Sequence, residues 1–302
     1  MTMAAASLRD PGHNAKPSTK FLAACSSSDA PDCDAVALAE FRKVRAHDGV
    51  GPMTLPRGFD KLKPRWQLFV LVNTERVDRG LKPFTALSSG LNALAKRAAR
   101  ANTDEAFGHV VPGTKYGSNW SVEGETALFD EFCWTYSDGP GQAGCFGTGG
   151  GIWIHRHNIL GTGPGGQYRA PRLMGAGVAP SVPHPSLTEA FVGHAKHKYV
   201  RTELKPHWSH FAKKFPLGVA THQLTVTAGS HGSLKVWASG ATMKVTAKIT
   251  SGGSQWSVSS RKFTLHAGHQ RTLKITHGTA ATLGTLTLTT AHDTERVVLV
   301  SG

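Results

Sequence analysis

From about Ala220 to the end of the chain, apolar and polar residues alternate. Leu224/Val226, Leu234/Val236, Met243/Val245/Ala247/Ile249, Trp256/Val258, Phe263/Leu265, Leu273/Ile275, Leu286/Leu288 and Val297/Leu299 each set every second side chain on one face. Successive Cβ atoms of a strand point to opposite sides, so these runs are half-buried strands. With Gly or Ser turns between them, the roughly seven or eight short strands predict a β-sandwich over residues 219–302.

The earlier part of the chain follows a helical period. Val36, Leu38, Ala39, Phe41 and Val44 mark a helix from Cys33 to about His47. Trp66, Phe69, Val70, Asn73 and Val77 mark a second, with Gly80 where a C-terminal cap belongs. Leu91, Leu94, Ala95 and Ala98 follow the N-cap candidates Ser88 and Ser89. Leu128, Phe129, Phe132 and Tyr136 give a further helix over roughly 125–136, and strands are predicted near Leu173–Ala179 and Leu187–Val192. Residues 1–32 show no period and are expected to be a disordered tail. Residues 194–218 interleave His, Lys and Arg with Trp208, Phe211 and Phe215, which predicts a basic linker with a short helix. The domain containing the first helices then spans 33–193.

Charge narrows the partners. The 302 residues carry a net charge of +14, which favours an acidic cell-wall polymer or an anionic lipid surface. A specific nucleic-acid partner is not expected, because no reading helix or sheet of stacked aromatics accompanies the charge. No stretch of about eighteen apolar residues predicts a transmembrane segment. Met1 to Lys20 lacks the apolar core of a signal peptide, so a secreted or wall-associated location requires a start other than the one seen. Cys25 with Cys33 and Cys133 with Cys145 are sequence-local pairs, readable as two disulfides of an exported protein or as four thiols. Nothing in the sequence fixes an oligomeric state.

Several motifs in order resemble the CAP superfamily, or SCP domain, of the actinobacterial type. They are Arg45-x-x-x-Gly49-Val50-Gly51-Pro52-Met53, Asn73-x-Glu75-Arg76, Gly117-Ser118-Asn119-Trp120, Trp134-x-Tyr136-x-Asp138-Gly139 and Trp153-x-His155-Arg156-x-Asn158-Ile159-Leu160. The resemblance implies an α+β chain: a CAP-type α/β/α sandwich followed by an all-β, immunoglobulin-like sandwich.

It also implies a cleft of two histidines and two acids, able in many such domains to hold a divalent metal such as zinc. Here His155 matches the second histidine, and His109 is the candidate for the first. Ser118 stands where a glutamate is usual, and Asp138 or Glu131 is the remaining acid. The expected cleft is therefore a degenerate one formed by His109, Ser118, Asn119, His155 and Arg156, with no resident cofactor and His155 as the candidate ligand for a weakly held metal. No Gly-x-Ser-x-Gly surrounds Ser118, which argues against a serine nucleophile. The expected function is non-catalytic binding of lipid or wall polymer by an exported, envelope-associated protein. The alternative is a peptidase or cell-wall hydrolase using His155 with Asp138 or Glu131.

Overall fold

Two periods in the sequence meet two units in the chain. The computed structural model describes residues 8–25, 33–104, 115–122, 126–148, 151–163, 166–181, 184–194 and 203–302. Met1–Gly49 and Gly58–Phe211 fall in the first unit, and Val50–Arg57 and Ala212–Gly302 in the second. The first is built from α1 (Thr19–Cys25), α2 (Cys33–His47), α3 (Pro64–Asp78), β1 (Ala86–Ser88), α4 (Ser89–Ala101), β2 (Lys115–Ser121), α5 (Ala127–Tyr136), β3 (Gln142–Ala143), β4 (Gly147–Thr148), α6 (Ile154–Leu160), β5 (Leu173–Ala179), β6 (Ser186–Gly193), β7 (Leu204–His207) and α7 (Trp208–Ala212).

Five strands make its main sheet, in the order β2-β6-β5-β1-β7, with β1 and β5 parallel. Both faces of β5 are covered, and small residues decide how closely. A Cβ on Gly175 would lie 2.3 Å from the Leu91 backbone, and one on Gly177 2.3 Å from that of Ala95. Only glycine lets α4 settle against the strand, where Leu91, Leu94 and Ala95 pack with Ala86, Leu173, Ala190 and Val192. Met174 and Phe191 face the other way, and Phe191 stacks on Phe84 at 5.3 Å. On that side α3 lies against β5, and α5 and α6 pack on α3.

Local signals set the helix ends. The Ser88 hydroxyl accepts from Leu91 N–H, and Gly80 at φ 75° lets Leu81 N–H reach Arg76 O at 2.8 Å. The second pairing, Gly80 N–H to Val77 O, completes a Schellman closure of α3.

An ionic network fills the space among α2, α3, α5 and α6. Arg45 bonds Glu75 at 2.7 Å and Asp78 at 2.6 Å. Arg79 bonds Glu75, Asp48 and the Tyr136 hydroxyl, and Arg156 reaches Asp48 at 2.9 Å. Burial pushes the Asp48 carboxyl up, but Arg79 and Arg156 outweigh it and hold it below the ordinary aspartate value.

The expected tail requires correction. Within 8–25, α1 places Phe21 against Phe129 at 5.4 Å and Phe132 at 5.0 Å, and Ala15 N–H bonds Tyr136 O. A disulfide from Cys25 to Cys33 ties α1 to α2, and a second joins Cys133 to Cys145. Order here comes from distant aromatics and a cross-link, neither of which leaves a period in seven residues. Reduction of both bridges is expected to destabilise this unit by roughly 2–5 kcal/mol in total. Denaturant unfolding with and without reductant measures it, and coincident curves would refute it.

The expected linker also differs. Residues 204–207 form β7, an edge strand antiparallel to β1. The second unit contains β8 (Gly218–Val219), β9 (Gln223–Val226), β10 (His231–Trp237), β11 (Met243–Ser251), β12 (Trp256–Val258), β13 (Lys262–Leu265), β14 (Gln270–His277), β15 (Gly284–Thr289) and β16 (Thr294–Ser301). They form two sheets, β12-β14-β10-β8 and β13-β11-β15-β16-β9. Leu234, Val236, Leu273, Ile275, Leu286, Leu288, Val297 and Leu299 are buried, as their alternation dictates. This is an immunoglobulin-like β-sandwich. Residues 50–57, expected in the first domain, group with it: Gly51 N–H bonds Gly268 O at 2.7 Å, and the Arg57 guanidinium pairs with buried Asp293.

Candidate functional site

Asp138 follows the end of α5 and His155 lies in the first turn of α6. The Asp138 carboxylate is fully buried and grips His155 twice. One oxygen accepts the backbone N–H of His155 at 2.6 Å, and the other is 2.9 Å from ring Nδ1. The first bond satisfies a donor that the start of a helix leaves free. The second fixes the ring and places the hydrogen on Nδ1, so Nε2 is the nitrogen left for a ligand. The turn is held by close packing: Trp153 takes φ 61°, and a Cβ on Gly139 would lie 2.4 Å from its ring.

His155 lines a cavity of about 360 Å³ together with Asp104, Trp120, Ser121, Val122, Trp134 and Gly144. Such a size and an aromatic lining suit a small organic group. Asp104 stands on the exposed rim. Partial withdrawal from water pushes its carboxyl up, His155 and a bond from Ser118 pull it back, and Asp138 adds to the upward push.

The other residues singled out in the sequence go elsewhere. Ser118 Oγ sits 3.5 Å from Asp104, while Asn119 is buried and donates to Glu189 at 3.3 Å and to His155 O at 3.4 Å. The Arg156 guanidinium is committed to Thr135 O, Arg9 O and Asp48. Glu131 is fully buried, and withdrawal from water, reinforced by Glu189, raises its carboxyl well above the ordinary glutamate value. His109 lies outside the described residues. Among the described residues no three His, Cys, Asp or Glu side chains gather in a way that could hold a metal ion.

Sequence reasoning missed Asp104 and Glu189. Asp104 follows α4 beside Glu105 with no recognisable motif around it. Glu189 is the one charged residue of β6, which was the available signal.

No family model and no curated protein matches the chain. Solved structures resemble part of it. The E. coli chaperone DraB is 14% identical over 29% of this chain and 55% of its own, with a TM-score of 0.26. The class 5 fimbriae chaperone CfaA is 11% identical over 28% and 55%, with a TM-score of 0.25. WR4, a C. elegans MSP family member, is 11% identical over 28% and 97%, with a TM-score of 0.27. The chain thus spans about half the length of these chaperones.

These findings overturn the identification with the CAP superfamily. No family model matches the chain, that of a CAP or SCP domain included. The motif residues do local structural work instead. Asn73 brackets the backbone of Phe84, Arg76 donates to Ile159 O, and Asn158 donates to Ser118 O. Residues that tie a helix to a loop carry no family signature by themselves.

Proposed function

We propose that this chain is an exported, envelope-associated protein whose first unit takes a ligand in the cavity at His155. The observation that carries the reading is the Asp138–His155 pair on the wall of that cavity: the imidazole is oriented by a buried carboxylate and its second nitrogen is left to a ligand. Half-buried Trp120 offers indole surface against which a sugar ring or acyl segment packs. Two disulfides fit an oxidising compartment, and the net charge of +14 favours residence beside an acidic wall polymer or anionic lipid. No described helix is long and apolar enough to cross a membrane.

The same pair favours a second reading. An oriented imidazole is the base half of a hydrolytic arrangement, in which Nε2 takes a proton from attacking water and returns it to the leaving group. One incubation separates the readings: purified protein with bacterial cell wall, scoring protein on the pellet and fragments in solution. Binding predicts retention at about 0.1 M salt, sharply reduced near 0.5 M, without fragments. Fragments that His155→Ala abolishes would make the protein a hydrolase, and neither retention nor fragments would defeat both readings.

A further inference from the structure

A basic cavity of the first unit lies away from His155. It has a volume of about 700 Å³ and is lined by Lys63, Arg65, Lys96 and Lys205, together with Trp66 and Asn92. We propose that it binds a phosphate ester. This rests on reading the chain's charge as contact with a polyanion, and is independent of the cavity at His155.

Topology opens the cavity. β1 pairs with β5 only at Ala86–Leu173 and Leu87–Met174, because the chain turns into α4 after Ser88. Among the described residues, Gly175 to Ala179 therefore have no strand on that side, and Ala176, Gly177 and Val178 line the gap. Ala176 N–H is taken by Asn92 Oδ1 at 2.9 Å. That bond fixes the amide and leaves its NH₂ group as a donor on the lining. The indole Nε1–H of Trp66 has no acceptor among the described residues. A ligand oxygen would accept from the Asn92 NH₂ group, whereas the Trp66 nitrogen has no surface that a ligand in the cavity could reach.

Charge points to an anion. Among the described residues, four cations line the space against one carboxylate, Glu203, which is paired with Lys205 at 3.3 Å. Among the described residues no carboxylate pairs with Lys63, Arg65 or Lys96 in a recorded ion pair. The first turns of α3 and α4 border the cavity, and neither contains an acidic residue. α3 instead carries Lys63 at its N-cap and Arg65 in its first turn, a placement that opposes the helix dipole. Both features are unfavourable in the empty site and are offset by a bound anion. The dianion of a phosphate monoester matches the excess of positive charge, and the apolar walls at Ala93 and Val178 leave room for the group that it esterifies.

The test uses two probes on the whole chain: glycerol 3-phosphate followed by NMR, and phosphatidylglycerol vesicles with phosphatidylcholine vesicles as reference. Lys63→Ala/Lys96→Ala removes two exposed cations from the cavity, and Lys235→Ala/Lys274→Ala removes two from the sandwich as a control. Saturable binding of the soluble ester, weakened at least about tenfold by the first pair and little changed by the second, is the expected result. Binding only to phosphatidylglycerol vesicles, with the same dependence on Lys63 and Lys96, would assign the phosphate to a lipid headgroup. Equal loss in both double variants would show diffuse attraction and overturn the site, as would no binding of either probe at about 10 mM phosphate. If the site fails while salt-sensitive wall retention persists, the polyanion reading stands without it.

Discussion

Replacing Arg79 with methionine is expected to destabilise the first unit by about 3–5 kcal/mol. The guanidinium is almost wholly buried and bonds Glu75, Asp48 and the Tyr136 hydroxyl. Methionine fills similar volume, so packing loss is small and the cost arises from the acids left behind. Glu75 would keep Arg45 and Tyr136, whereas Asp48 would keep only Arg156 from the pair that holds its carboxyl down. A buried carboxylate with half its compensation must either stay ionised at high cost or take up a proton. Thermal and urea unfolding would show the loss, with the sandwich transition unmoved. Adding Asp48→Asn should recover part of the loss by removing the carboxylate left with half its compensation. A loss below about 1 kcal/mol would mean that water already screens the network.

This network also shows what the sequence could and could not reveal. Arg45, Glu75 and Asp78 lie on helices that the apolar period located, with Arg79 at the end of α3, whereas α6 with Arg156 was not located, and nothing in one sequence pairs charges across 30 to 108 positions. Local signals were legible. Gly80 closes α3, Ser88 caps α4, and the alternation after Ala220 builds the β-sandwich. The α+β character followed from those two periods. Asp138 and His155 were both named as candidates, but their pairing through ring and backbone came only with the turn that Gly139 and Trp153 form. α1 and the docking of residues 50–57 were invisible because each depends on distant partners.

Stability of the first unit is expected to fall as pH rises from about 5 to 8, and Glu131→Gln is expected to flatten that fall. Glu131 on α5 and Glu189 on β6 are fully buried. Withdrawal from water is the main force raising both carboxyls well above the ordinary value, and Glu189 further raises Glu131. Thr135 and Asn119 supply bonds that oppose the rise without cancelling it. In the unfolded chain each ionises near pH 4.3. Between there and the raised folded value, the folded state holds protons that the unfolded state has released. Stability is therefore fully present below about pH 4.3 and declines above it, by up to about 1.4 kcal/mol per pH unit for each such group. Asp48 acts oppositely: its carboxyl is held down, so its contribution is lost only as pH falls below about 3.9. The two together place maximum stability in mildly acidic solution. Glutamine keeps the shape of Glu131 and cannot ionise, so Glu131→Gln should raise Tm on the order of 5 °C at pH 7.5 and by little at pH 5. Melting curves at half-unit intervals for the wild type and this variant test it. A wild-type profile flat from pH 5 to 8, with no gain from glutamine, would mean that the carboxyls are solvated and the pair is not the buried acid cluster described above.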